Sequence, residues 1–408
     1  MQPRRVIEDL RELDRRTGGP GGARRVCWTD EWQAARAFLR QRLDELPVTV
    51  ELDAGGNLWA VLAGASQEMV VVGSHLDSVP GGGWLDGALG VFAAVEVLRT
   101  FAEAGTAPSR TVALVDWVDE EGARFGRSLL GSSAFAGTLD AAAVRGLTDA
   151  DGVTLADALA ASDVDVETMN TAGDTRRAQL AAYLELHIEQ GPVLEGEGLA
   201  CGAVLGTSGV ERLRAVFSGQ ARHAGSTPMD RRRDAGVAAA RAVVGLQAIG
   251  LDHGGVCTGG AVELEPGIVT AVPGRAELLI DQRHLDADAL ASMLADAYAL
   301  LERSAAVEGC TVAVEPIWRI APVPFHGRLI EAAAQACRAE TGVERRLPSG
   351  ALHDAAELAR VCPTAMVFSS SVGGVSHAPD EDTPEADLER AIAAFGLLAA
   401  KVVAEDVG

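Results

Sequence analysis

The chain has 408 residues, enough for two domains or for one large domain carrying an insertion, and 48% of them are apolar, ample for a core. A formal net charge of -23 excludes the basic footprint of a nucleic-acid binder and disfavours adsorption to anionic membranes. No apolar run reaches the ~18–20 residues of a membrane span, and the charged N-terminus MQPRRVIEDLRELDRRTGG lacks the apolar centre of a secretory signal, so a cytoplasmic location is expected.

In chain order, residues 1 to about 46 read as helical, with apolar positions at helical spacing in VIEDLRELDRRTG and DEWQAARAFLRQRLDEL. VTVELDAGGNLWAVLAG predicts a hairpin around Ala54-Gly55-Gly56-Asn57. From Met69 a buried strand ends in His75-x-Asp77, crosses a glycine-rich loop, and reaches Asp86 at the start of the helix ALGVFAAVEVLRTF. TVALVDWVDEEGARFG is a second strand running into acids, Thr138 to Gln179 a helical excursion, and AAYLELHIEQGPVLE a third strand ending in a polar cluster. Alternating strands and helices predict an α/β sheet that places ligands at the strands' carboxyl ends.

From about Ser208 the texture changes to a β-α-β-β-α-β-like set, suited to a small α+β domain inserted into the larger sheet. After roughly Ala321 the first texture resumes, through AMVFSSSVGGVSHAPDE to a last helix, EADLERAIAAFGLLAAKVVAE. The expected domains are 1–207 with 322–408, and 208–321 between them.

Composition also narrows the chemistry. The only lysine is Lys401, so Schiff-base, pyridoxal-phosphate and P-loop chemistry lack their lysine. Cys27, Cys201, Cys257, Cys310, Cys337 and Cys362 are scattered without a C-x-x-C, which argues against a zinc finger or a disulfide framework. Neither GSHLD nor GSSAF matches the serine-nucleophile pattern G-x-S-x-G.

Of eight histidines, His75, His187, His223 and His377 sit in polar, glycine-rich junctions, whereas His253, His284, His326 and His353 have weaker settings. A lone histidine is more often structural than a ligand. Here the strand ends jointly carry His75-x-Asp77, Asp86, Glu120-Glu121, His187-x-Glu189-Gln190 and His377. Imidazole with carboxylate and no thiolate suits zinc, manganese, cobalt or nickel. If Asp86 bridges, two metals can each take two further ligands. One of Glu120 and Glu121 can then ligate while its neighbour acts as general base, and Asp77 can orient the far ring nitrogen of His75. Arg283 in LLIDQRH, otherwise an exposed strand arginine, has the fork that a substrate carboxylate prefers.

Together the segments GSHLDSVPGGGWLDGALG, DEEGARFGRSLLGS, LELHIEQGPVLE, RHAGSTPMDRRRDA, VPGRAELLIDQRH, LPSGALHDAAELA and VGGVSHAPDE resemble the M20 metallopeptidase superfamily. Within it they are similar to the hydantoinase/carbamoylase branch of N-carbamoyl-L-amino-acid hydrolases, β-ureidopropionases, and allantoate and ureidoglycolate amidohydrolases. The resemblance implies an α/β catalytic domain interrupted by a lid that dimerises, and two divalent metal ions per subunit. It implies His75, Asp86 and His187 on one metal, and Asp86, Glu121 and His377 on the other. Glu120 becomes the base, and Gln190, His223 and Arg283 contact substrate, with His223 polarising the scissile carbonyl; in this superfamily the lid histidine commonly reaches the active site of the partner subunit.

Three positions depart from the branch: Thr270 where it usually has asparagine, Leu352 where glycine normally lets substrate approach the backbone, and Trp84 in place of a basic residue in the glycine-rich loop. The implied activity is a dinuclear-metal amidohydrolase acting on a small carboxylate-bearing amide or ureido compound, with atypical recognition. The rivals are an M20 dipeptidase or N-acyl-amino-acid deacylase, and a metal-bearing binding protein without catalysis.

Overall fold

The computed structural model describes residues 1–405. By internal packing the chain divides into two compact units, Met1–Gly206 with the chain from Phe325 onward, and Thr207–Pro324.

The first unit is built on a mixed sheet. Its strands run in the order Thr49–Leu52, Leu58–Leu62, Arg110–Trp117, Ser66–His75, Leu180–Ile188, Thr364–Ser369 and Cys201–Thr207. The four from Arg110–Trp117 to Thr364–Ser369 are mutually parallel, and the outer pairings are antiparallel. The parallel strands are buried on both faces, so they read as continuous β-branched runs such as Val70-Val71-Val72 rather than as alternating patterns. Each fully buried valine contributes roughly 1.5–3 kcal/mol. The helices Pro3–Thr17, Ala88–Glu103, Gly327–Thr341 and Glu385–Ala404 share one core over this sheet. Ala88–Glu103 is apolar almost all round and buried to match. The 49–62 hairpin forms as expected, turning through Gly56 at φ 80°, a conformation that favours glycine.

The excursion from 138 to 179 differs from expectation. It forms only the short helices Ala141–Val144 and Leu155–Ala160, with single turns at Met169–Thr171 and Arg177–Gln179. Asp149 explains part of this, because its side chain accepts from the N–H groups of Asp151 and Val153 and so favours a turn over a helix. Leu139, Leu155, Leu159 and Met169 pack instead around Trp28 and Trp32 in a separate small core.

The second unit has the order strand Gly209–Ser218, helix Ala235–His253, strands Val256–Glu265 and Arg275–His284, helix Ala287–Val307, strand Thr311–Ile320. Its antiparallel sheet runs fourth, first, third, second, the split β-α-β arrangement. The Val256–Glu265 strand is hard to read in sequence because it contains Gly259-Gly260, and its register shifts there against Leu279 and Ile280. Among the described residues, Ala235–His253 alone is long and apolar enough to cross a membrane. It is a core helix: Asp234 caps its first turn by accepting from Gly236 and Val237, and Ala238, Ala239, Ala242 and Leu246 pack into the unit's core.

Candidate metal centre

The carboxyl ends of the four parallel strands assemble the site within the first unit. His75 closes the Ser66–His75 strand, and its Nδ1–H donates to the main-chain carbonyl of Asp77 at 3.1 Å. His187 donates from Nδ1 to the carbonyl of Ile188 at 3.0 Å. A carbonyl can only accept, so in the neutral form each ring carries its lone pair on Nε2. Both lone pairs face carboxylate. His75 Nε2 lies 3.7 Å from Asp86 Oδ1 and 3.7 Å from Glu120 Oε2. His187 Nε2 is buried 3.2 Å from Asp86 Oδ1 without being aligned for a hydrogen bond. His377 Nε2 stands 3.4 Å from Asp86 Oδ2 and 3.5 Å from Glu121 Oε2.

A lone pair against a carboxylate is repulsive unless positive charge lies between them. Two ligands held ~2.1 Å from a tetrahedral ion lie ~3.4 Å apart, which is the spacing seen. In each set, His75–Asp86–His187 and Asp86–Glu121–His377, the ligand atoms lie within 4.8 Å of one another, and Asp86 serves the two sets with different oxygens. The buried Glu121 Oε1 has no other partner. Nitrogen and carboxylate donors without thiolate fit a pair of divalent ions.

The electrostatics point the same way. Asp86 pushes the His377 imidazole up to about 9. Burial would lower His75 and His187, but Glu120, Asp77 and Asp86 outweigh it at His75 and Asp86 does so at His187, so both are raised. Burial, then Asp86, lifts Glu121 to about 7, and burial raises Glu120 well above the carboxylate range. Without metal, protons supply the charge that the cluster demands.

The surrounding residues hold this geometry. The carboxylate of Asp77 accepts the N–H of Glu120 through Oδ1 and that of Glu121 through Oδ2, both at 3.2 Å. Its oxygen is farther from His75 Nδ1, at 3.6 Å, so it is the main-chain carbonyl of Asp77 that orients the ring. Gly87, at φ 64°, packs on the imidazole of His75, where any Cβ would overlap the ring. Asp119, Gln190 and His377 are non-glycine residues with φ of 53°, 56° and 55°, left-handed strain gathered at one site.

Several participants escape a reading of the sequence. Glu381 accepts the N–H groups of Leu85 and Asp86 through Oε1 and the Ser376 hydroxyl through Oε2, tying the loop of Asp86 to the loop of His377. Gln190, expected from the sequence at the substrate, has Nε2 donating to Asp86 Oδ2 at 2.9 Å and to Ser376 Oγ at 3.0 Å, and Ser376 is the partner the sequence did not offer. His353 is buried against His187, with ring centroids 4.5 Å apart, and burial holds it neutral. The sequence signals were faint: a glutamate four residues after His377, and one histidine beside the departure at Leu352.

Trp84 departs from its expected place in recognition. It is 7% exposed and packed in the core, its Nε1–H donates to Asp382 Oδ1 at 3.2 Å, and the Arg11 guanidinium lies 3.6 Å above its ring. The side chain braces the glycine-rich loop from inside. Leu352 is half-buried beside His353 in the same unit.

The other expected substrate residues lie in the second unit. His223 is exposed, and its Nδ1 accepts from the N–H groups of Gly225 and Ser226, both at 3.2 Å. The neutral ring therefore carries its proton on Nε2, as a donor. Thr270 is an exposed neighbour, its carbonyl accepting from Ala224 beside the His223–Ala271 pairing. Arg283 has Nε on Asp281 Oδ1 at 2.7 Å and Nη2 on Oδ2 at 3.2 Å.

A mixed α/β unit bearing two histidine–carboxylate clusters around one aspartate is the architecture of a metal-dependent hydrolase. The chain belongs to peptidase family M20/M25/M40, whose model matches residues 71–401. It is 37% identical to an N-carbamoyl-L-amino acid amidohydrolase of Geobacillus stearothermophilus, over 95% of each chain. It is 33% identical to an allantoate amidohydrolase of Bacillus subtilis (strain 168), over 92% of this chain and 91% of that one. The structure superposes on a hydantoinase/carbamoylase family amidase from Burkholderia multivorans with a TM-score of 0.92 at 35% identity, covering 99% of this chain and 98% of that one.

Proposed function

We propose that this chain is a dinuclear-metal amidohydrolase that cleaves a linear amide or ureido C–N bond in a small carboxylate-bearing substrate, in the manner of an N-carbamoyl-L-amino-acid hydrolase. The observation that carries the reading is Asp86, which turns one oxygen toward each of two histidine–carboxylate clusters beside the buried Glu120. One ion is assigned to His75, Asp86 and His187, the other to Asp86, Glu121 and His377, and zinc, manganese, cobalt and nickel all accept these donors. Once bound, such a pair polarises a carbonyl and makes water a stronger acid.

The remaining work belongs to side chains. Glu120, buried beside both clusters with its carboxyl raised by that burial, takes the proton of the attacking water and delivers it to the leaving nitrogen. His223 donates from Nε2 to the carbonyl oxygen as charge develops on it. Gln190 contacts the substrate beside Asp86, and Arg283, its guanidinium oriented by Asp281, takes the substrate carboxylate. For an N-carbamoyl amino acid, water adds to the ureido carbon, the C–N bond to the amino acid breaks, and the carbamic acid released then falls apart at its remaining C–N bond. The products are the free amino acid, carbon dioxide and ammonia.

Thr270 and Leu352 shift recognition away from ordinary N-carbamoyl amino acids: threonine lacks the bidentate reach of an amide, and leucine adds bulk. An allantoate- or ureidoglycolate-type substrate is the second reading, favoured by the 33% identity to an allantoate amidohydrolase. The 207–324 unit is assigned as a lid that pairs two subunits. Val244, Leu251 and Val307, each at least 66% exposed on its helices, support that assignment. A cytoplasmic location accords with six unpaired cysteines, five of them buried.

The test is Glu120→Gln. Turnover should be abolished while both ions remain bound, and a variant that is still active removes Glu120 as the base.

A further inference from the structure

Arg25 lies in the loop between the first two helices, before the segment 71–401 that the family model matches. Its side chain is wholly buried and ranks among the largest in the interior. Of its five N–H donors only Nε–H finds a partner, the main-chain carbonyl of Leu76 at 2.8 Å, and both Nη groups are buried without one. Leu76 is the residue between His75 and Asp77, and its own N–H is fixed by Asp116 Oδ1 at 2.9 Å.

The backbone around Arg25 is laced to the glycine-rich loop. Arg25 N–H donates to Ser78 Oγ, Ser78 N–H donates back to the Arg25 carbonyl, and Ala23 exchanges hydrogen bonds with Gly81 and Gly82. The acids whose charge acts on the guanidinium are Asp86, Glu381, Asp14 and Asp77. Burying a guanidinium with most of its donors idle is costly, and apolar packing would fill the volume without that cost. A structural filler accounts for the volume but not for the charge, nor for the choice of the Leu76 carbonyl as the single partner.

We propose that Arg25 is a positioning residue of the metal centre: through the Leu76 carbonyl it fixes the backbone that presents His75 and Asp77. An N-terminal segment outside the matched family model thereby becomes part of the site. The inference rests on reading His75, Asp86 and His187 as the ligands of one ion.

The test is a titration of the metal-free full-length protein with cobalt(II), followed by absorbance and by native mass spectrometry for stoichiometry. Wild type should take up two ions. Arg25→Met should weaken the ion held by His75 by roughly 10- to 100-fold, the usual cost of losing support behind a ligand, and the ion held by His377 by a smaller factor. Arg25→Lys, which keeps an N–H donor for the Leu76 carbonyl, should recover part of that loss. Should Arg25→Met not fold, Ser78→Ala releases the same segment by one hydrogen bond and should weaken the same ion by a smaller factor. Unchanged affinities in whichever of these two variants folds, or equal weakening of both ions, would overturn the proposal. A wild-type protein that binds no ion would instead overturn the ligand assignment beneath it.

Discussion

Replacing Asp77 by asparagine tests the part of the site that the structure explains most fully. The two carboxylate oxygens of Asp77 each accept one main-chain N–H, from Glu120 and from Glu121. Asparagine keeps one acceptor and turns an NH2 group against the other N–H. One charge-assisted hydrogen bond is then lost and one buried donor is orphaned. At ~1.5–3 kcal/mol for a bond to a charged group, with part of the orphaning cost added, the expected loss is about 2–4 kcal/mol. That corresponds to a fall of roughly 4–10 °C in the unfolding midpoint of a unit this large. Because the two N–H groups belong to the proposed base and to a proposed ligand, turnover should fall by about 10- to 100-fold. The assay pairs thermal unfolding of the metal-loaded protein with ammonia release on one ureido substrate. If the carboxylate served mainly the His75 ring, the amide oxygen could keep that contact, and both readouts would stay near wild type. That result would refute the assignment.

His223→Ala should reduce kcat by roughly 10²–10³ if its Nε2–H serves the developing oxyanion, and an unchanged rate would discard the role. The metal-free protein should lose stability as pH rises. Glu121 is raised to about 7 and His377 to about 9, each above its unfolded value, so the protonated form of each favours the fold. That contribution is complete below about pH 4.5 for Glu121 and pH 6.5 for His377, and is lost as pH climbs through 7 and 9. Midpoints of chelator-treated protein should therefore fall between pH 6 and 9. Over the same range the midpoints of metal-loaded protein should hold or rise, since metal displaces those protons. Parallel curves with and without chelator would contradict this.

Much of the site was legible in the sequence because the parallel sheet delivers strand ends to one edge. His75, Glu120-Glu121 and His187 each follow an apolar run, and their convergence needs only that those runs pair in parallel. What stayed hidden depends on side chains meeting across long separations. Glu381 grips the backbone at Leu85 and Asp86 almost 300 positions away, and Arg25 reaches the carbonyl of Leu76; neither leaves a periodic trace. Trp84 shows the opposite error: a departure from the branch pattern suggested a change in recognition, whereas the side chain faces the core under Arg11. The 138–179 stretch read as helical from its alanines, but Asp149 and the glycines at 146 and 152 divert the backbone into turns.

The most direct measurement, on protein of known metal content, is ammonia release from N-carbamoyl-L-amino acids, allantoate and ureidoglycolate beside free amino acid release from dipeptides and N-acyl amino acids. The expected result is two divalent ions per subunit, chelator-sensitive ammonia release from at least one ureido compound, and no amino acid released from dipeptides. Protein carrying both ions that cleaves only dipeptides or acyl amides, or cleaves nothing, would contradict the account.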